Sequence, residues 1–187
     1  MIPDPQDSQS SEDGVIDAIC QDVRDHIARI EPGFYGYALV PWDMTTQLPP
    51  PSLAAVVNRE EDIDPKNRED DYYRFGVDEW ALWELNGFDR SARELASLYD
   101  SFNAGHQKNP DDYEFDEEEI AFLTRFYSVH LEALLRLRSE GTFGAGTFVV
   151  IWVSDSDDDI LIKSAKLLNS PTTYRRFAAQ FGSQLEG

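Results

Sequence analysis

Apolar residues recur at Ile16, Ile19, Cys20, Val23, Ile27 and Ile30, the spacing of one helix face, while Asp and Arg occupy the other. An amphipathic helix is therefore predicted from Val15 onward, stopped by Pro32-Gly33. Residues 1–11 carry Ser, Pro, Asp and Gln without an apolar period and read as a mobile, disordered tail ahead of a domain spanning 12–187. Phe34 to Val40 is aromatic and β-prone and reads as a strand ended by Pro41. A proline-rich loop over 42–51 precedes a second strand at Leu53–Val57. Polar residues 58–71 connect to Tyr72–Phe75, a third short strand, which turns at Gly76 into a helix capped by Asp78, with Trp80, Leu82 and Trp83 on its buried side.

The second half is more regular. Ser91–Asn103 has helical spacing, and a loop containing His106 follows. Asp116 and Glu119 have the spacing of a capping box, which opens a long helix from about Glu117 to Glu140. Thr147–Val153 is a continuous apolar run rich in β-branched residues, as in a strand covered on both faces. The acidic run 154–159 must bring the chain back to the surface. Two helices close the pattern, one from Ile160 to Leu168 and one opened by Ser170-Pro171 and ending near Phe181. The expected fold is a single α+β domain: a small, mostly antiparallel sheet of about four strands packed against amphipathic helices.

Composition narrows the function classes. The chain has 187 residues, 41% of them hydrophobic, enough for a core without disulfides or structural metals. Its single cysteine, Cys20, excludes an internal disulfide, fits a reducing compartment, and lies on the apolar stripe of the first helix as a buried structural thiol. With 36 acidic and 16 basic residues the net charge is −20, which opposes direct binding to nucleic acid or anionic lipid and is compatible with a basic protein partner; the plainer reading is that the excess carboxylates keep the protein soluble. No apolar run approaches the roughly 18 residues needed to span a bilayer, and the N-terminus lacks the basic start of a secretory signal, so the cytoplasm is the expected compartment.

The strongest candidate for chemistry is the acidic run after Val153. An apolar strand followed by Asp155-x-Asp157 resembles phosphohydrolases of the haloacid dehalogenase type, in which the first Asp is a nucleophile and the second an acid/base beside magnesium. Position weighs against it: that chemistry needs Lys and acidic elements well downstream, whereas the chain ends at Gly187, and Asp159 stands where Thr is usual. An EF-hand over Asp155, Asp157 and Asp159 puts Ile160 where Gly is needed and Lys166 where the bidentate Glu belongs. The histidines His26, His106 and His130 are far apart and form no His-Glu-x-x-His motif. The best surface candidate is the aromatic and acidic set Trp42, Tyr72, Tyr73, Asp78, Glu79 and Trp80, which could anchor and steer a basic partner; the competing reading places these rings in the core.

Several segments, taken together and in order, carry a family likeness. Phe34-Tyr35-Gly36-Tyr37-Ala38-Leu39, Ala54 to Asn58-Arg59-Glu60-Glu61, and Tyr73-Arg74-Phe75-x-x-Asp78-Glu79-Trp80 resemble the bacterial domain of unknown function 4303. So do Leu134-x-x-Leu137-Arg138-x-Glu140-Gly141-x-Phe143-Gly144, Ser154-Asp155-Ser156 and Ser164-Ala165-x-x-Leu168-Asn169. The likeness covers about residues 15–182, departing from the family at Phe75, where Trp is expected, and in a longer proline loop at 41–51. It implies no cofactor, activity or catalytic residue, and it implies the company of small bacterial proteins of the toxin-immunity kind, which act by binding. The resulting expectation is a non-enzymatic, acidic, protein-binding module of the cytoplasm. The alternative is a metal-dependent hydrolase using Asp155 and Asp157, with Glu79 as a candidate third carboxylate.

Overall fold

A computed structural model of the chain describes residues 5–41, 53–106, 115–153 and 159–182. The elements run in the order α1 (Pro5–Arg29), β1 (Phe34–Pro41), β2 (Leu53–Arg59), α2 (Asp71–Phe75), β3 (Leu82–Glu84), α3 (Asp89–Gly105), α4 (Glu117–Ser139), β4 (Phe148–Ile151), α5 (Ile160–Leu168) and α6 (Pro171–Phe181). Helix α1 begins at Pro5, within the stretch read as a disordered tail. The strands form one mixed sheet in the order β3-β2-β1-β4. Pairs β1/β2 and β2/β3 are antiparallel, and β1/β4 is parallel with Tyr37 opposite Val149.

Period-two alternation sorts the strand side chains to two faces. Tyr37, Leu39, Ala55, Val57, Val149 and Ile151 point to one, where α1, α3 and α4 supply Ile19, Val23, Leu95, Phe126 and Leu134. Ala38, Val56, Phe148 and Val150 point to the other, under Phe75, Trp80, Ala165, Phe177 and Phe181. Burial on both faces is why β4 reads as an unbroken apolar run. The helix starts follow the local chemistry: Asp116 Oδ1 accepts from the Glu119 N–H at 2.8 Å and Glu119 Oε2 accepts from the Asp116 N–H at 3.0 Å, a complete capping box. At α6, Ser170 Oγ accepts from the Thr173 N–H at 3.1 Å, with Pro171 in the first turn.

Strand β4 lies at an end of the sheet, where exposed backbone groups would invite pairing. Side chains of the α5 region close this edge. Asn169 Oδ1 accepts from the Val149 N–H at 2.8 Å, Asn169 Nδ2 donates to the Val149 carbonyl at 2.7 Å, and Ser164 Oγ accepts from the Ile151 N–H at 3.0 Å.

The stretch 71–86 departs from the pattern reading. Tyr72–Phe75 is not a strand; it belongs to α2, because Asp70 Oδ1 takes the Tyr72 N–H at 2.9 Å and nucleates a helical turn. No helix follows Asp78. A 3₁₀ turn over Val77–Glu79 leads into β3, which pairs Val56 with Trp83 and leaves Leu82 and Trp83 40% and 43% exposed; of the three expected inward residues only Trp80 is buried. Six residues do not separate a period of 3.6 from a period of two, and here pairing to β2 decides.

Candidate functional site

The parallel strands β1 and β4 end side by side, and the Trp152 N–H extends their ladder to the Leu39 carbonyl at 2.9 Å. Open sheets place binding residues at such carboxyl ends. Beside this end, α2 closes sharply at Gly76, whose N–H returns to the Tyr72 carbonyl at 2.8 Å. A Cβ at Gly76 would lie 2.7 Å from that carbonyl oxygen, so the tight closure needs glycine. The 3₁₀ turn that follows buries Val77 and turns Asp78 and Glu79 outward.

Four of the sequence candidates meet here. The Tyr72 hydroxyl donates to Glu79 Oε1 at 3.3 Å, and Tyr73 stands edge-on to Tyr72 with centroids 5.3 Å apart. Trp152 Nε1 donates to Asp78 Oδ1 at 3.0 Å. Phe181, from the end of α6, joins the two halves: the Tyr72 ring stacks on it at 6.1 Å, and the Trp152 ring meets it edge-on at 5.8 Å. The result is a rim of aromatic faces and carboxylates, with Tyr72 40% exposed at its outside and Trp152 and Phe181 buried beneath. Negative charge on Glu79 raises the Tyr72 hydroxyl above its ordinary pKa, so it stays protonated and donates. Flanking the rim, Arg176 pairs with Asp71 and lies 5.5 Å over the Phe75 ring.

Trp80 is not part of this surface. It is 2% exposed and packs edge-on to Phe148 and Tyr35 on the second face of the sheet, which corrects the expectation of an exposed anchor. Trp42, Asp155 and Asp157 lie outside the described residues. Sequence reasoning missed Trp152 and Phe181: the first reads as strand and the second as a helix end, and only the tertiary fold brings them to Asp78 and Tyr72. The described rim offers ring faces, hydrogen-bond acceptors and negative charge.

Among the described residues, one set of metal-ligating side chains converges, with His106, Asp116 and Glu119 offering ligand atoms within 4.8 Å of one another. His106 Nε2 is 2.7 Å from Asp116 Oδ2, and its ring stacks on Phe102 at 4.8 Å. Both carboxylates are also the members of the α4 capping box, which accounts for their convergence without an ion. The other two histidines are buried. His26 Nδ1 meets the Tyr37 hydroxyl at 3.0 Å, and His130 Nδ1 donates to the Phe126 carbonyl at 2.6 Å. Burial pushes both imidazoles below their ordinary pKa, His130 to about 4. Burial likewise raises the Cys20 thiol, which sits in the core and donates to the Ala133 carbonyl at 3.5 Å.

A family model described as a domain of unknown function, DUF4303, matches residues 15–170. No curated protein and no solved structure matches the chain. Among the described residues, no helix is long and apolar enough to cross a membrane.

Proposed function

The chain belongs to the DUF4303 family, and we propose that it works as a non-enzymatic protein-binding module whose acidic aromatic rim receives a basic partner. The observation that carries this reading is the exposed Tyr72 ring, held over Phe181 and flanked by the Asp78 and Glu79 carboxylates. Tyr is an effective interface anchor because it brings a large apolar face with little side-chain entropy to lose, and its hydroxyl is already oriented by Glu79. Charge acts at longer range: a net −20 accelerates encounter with a cationic surface and repels acidic ones. Much of the cationic complement is spent within the molecule, since Arg24, Arg59, Arg74, Arg90 and Arg136 are each held by carboxylates. An immunity-like role, in which binding blocks the partner's own activity, is the form of this reading that suits a small acidic protein.

The test is capture of partners from the native host at low salt and at about 0.5 M salt, where the Debye length falls to a few Å. A captured basic protein is then purified and titrated calorimetrically against wild-type chain, Tyr72→Ala and Glu79→Lys. The reading expects binding to weaken at high salt and by about tenfold or more in each variant. Partners that survive high salt undiminished and bind both variants normally would reject the rim as the site.

A further inference from the structure

At the other end of β4, around Thr147, lies a cavity of about 630 Å³, within the roughly 300–1,000 Å³ range of small-molecule sites. Its walls come from the C-terminus of α4, the turn 144–146 and the start of α6. Its polar side chains are Arg138, Thr147, Asn169, Ser170 and Thr173, and the described residues lining it include no Asp or Glu. In a chain with 36 acidic residues, a carboxylate-free cavity containing an arginine is a local reversal of sign.

Arg138 itself has no carboxylate partner among the described residues. Its Nη1 donates to the Gly144 carbonyl at 3.1 Å and its Nη2 to the Thr147 carbonyl at 2.6 Å, while the buried Nε–H has no acceptor. Neutral carbonyls fix the guanidinium in place without cancelling its charge, and a guanidinium has five N–H donors to satisfy. Desolvation without a compensating anion lowers the pKa of Arg138, unlike the raised values of the carboxylate-paired Arg59, Arg90 and Arg136. Glu140, two residues along, is turned away to Arg24 and Arg136. Hydroxyls complete the set. Ser170 and Thr173 share one hydrogen bond at 2.9 Å, which uses only one of their two hydroxyl protons, and they sit at the amino end of the eleven-residue α6, where backbone dipoles favour negative charge.

We infer that this cavity binds the phosphate group of a small molecule, with Arg138 as the charged donor and the Thr147, Ser170 and Thr173 hydroxyls as neutral ones. A tetrahedral oxyanion with several acceptor oxygens uses such a divergent donor set more fully than a planar carboxylate with two. Phe143 and Leu167 supply apolar wall for an organic substituent.

Calorimetric titration of the full chain with inorganic phosphate and with phenyl phosphate tests this, alongside Arg138→Met and Gly146→Asp. Arg138 also holds the turn before β4, so its variant can lose fold together with binding. Gly146 has a backbone φ outside the left-handed region and open space where a Cβ would go, so Gly146→Asp leaves the fold intact while adding a carboxylate at the cavity. Saturable binding of at least one probe by the wild type is expected, weakened about tenfold or more in Gly146→Asp with unchanged thermal stability. Tighter binding of phenyl phosphate than of phosphate assigns the site to organic phosphates, and equal binding assigns it to the free ion. Failure of both probes to bind at about 10 mM, or equal binding by Gly146→Asp, overturns the inference.

Discussion

Gly36 and Trp80 fit together on the second face of the sheet so closely that a Cβ on Gly36 would lie 2.4 Å from Trp80 Cη2. The indole of Trp80 thus lies against bare β1 backbone, and its edge reaches Phe148 and Tyr35. This contact joins the chain following α2 to the centre of the sheet, and with it the support of the Tyr72–Glu79 rim.

Gly36→Ala is expected to destabilise the protein by about 1–3 kcal/mol, because the ring is buried and the β1 backbone is held by strands on both sides. Urea denaturation followed by tryptophan fluorescence measures it. In the Trp80→Phe background the same substitution is expected to cost much less, since the smaller ring leaves room for the methyl; equal costs in the two backgrounds would show that the clash is not the cause.

Asp22 caps α3 from a different helix. It is 1% exposed on α1, and its Oδ2 accepts from both the Ser91 N–H and the Ser91 hydroxyl at 2.8 Å, while Oδ1 accepts from Arg90 at 2.7 Å. Removing the carboxylate orphans a buried backbone donor and a hydroxyl, but Arg90 keeps Asp25 and much of its solvent. Asp22→Ala is therefore expected to cost about 2–3 kcal/mol, and Asp22→Asn less, by chemical denaturation.

Asn169 acts as a one-residue substitute for a neighbouring strand, satisfying both backbone groups of Val149. Asn169→Ala is expected to lose about 1–3 kcal/mol and to aggregate at lower temperature than wild type, as the β4 edge opens. Asn169→Asp is the sharper test. It keeps the acceptor for the Val149 N–H but sets a carboxylate oxygen against the Val149 and Ala165 carbonyls, so it is expected to be at least as unstable. Light scattering during a thermal ramp reads both effects.

The legible elements were those whose period ran long enough to be unambiguous. The stripe from Ile16 to Ile30 and the helix from Glu117 to Glu140 run over several turns, and the Asp116/Glu119 box is a local hydrogen-bond pattern that tertiary contacts need not supply. The run Phe148–Ile151 announced a doubly covered strand because β-branched residues fill both faces. Trp80, Leu82 and Trp83 lie too close together for the period to decide, and pairing to β2 put one inside and two outside. For the rim, Tyr72 through Glu79 were visible as an aromatic and acidic cluster. Their link to Trp152 and Phe181 was not, because residues that far apart in sequence meet only through the parallel β1/β4 pairing and the return of α6.

Acid sensitivity is expected to come first from His130. Its ring is fully buried, its Nε2 has no hydrogen-bond partner, and Phe126 packs 4.6 Å from it, so charging it in place is unfavourable and its pKa falls to about 4. In the unfolded chain an ordinary imidazole titrates near 6.5. Between those values the unfolded state binds the additional proton, so stability rises with pH across this window and is complete above it. Lowering the pH from 7.5 to about 4 is expected to remove on the order of 3 kcal/mol through this group. His26, whose pKa burial also lowers, adds in the same direction. Carboxylates held below their usual range by partners, such as Asp25 and Glu140, begin to lose their contribution only as the pH falls to their ordinary values of 3.8 and 4.5, at the acid end of this window. Denaturation curves of wild type and His130→Leu at several pH values isolate the effect: the leucine variant should show a flatter profile between pH 4 and 6.5. Parallel profiles would mean that His130 takes up its proton in the folded protein at the same pH as in the unfolded chain.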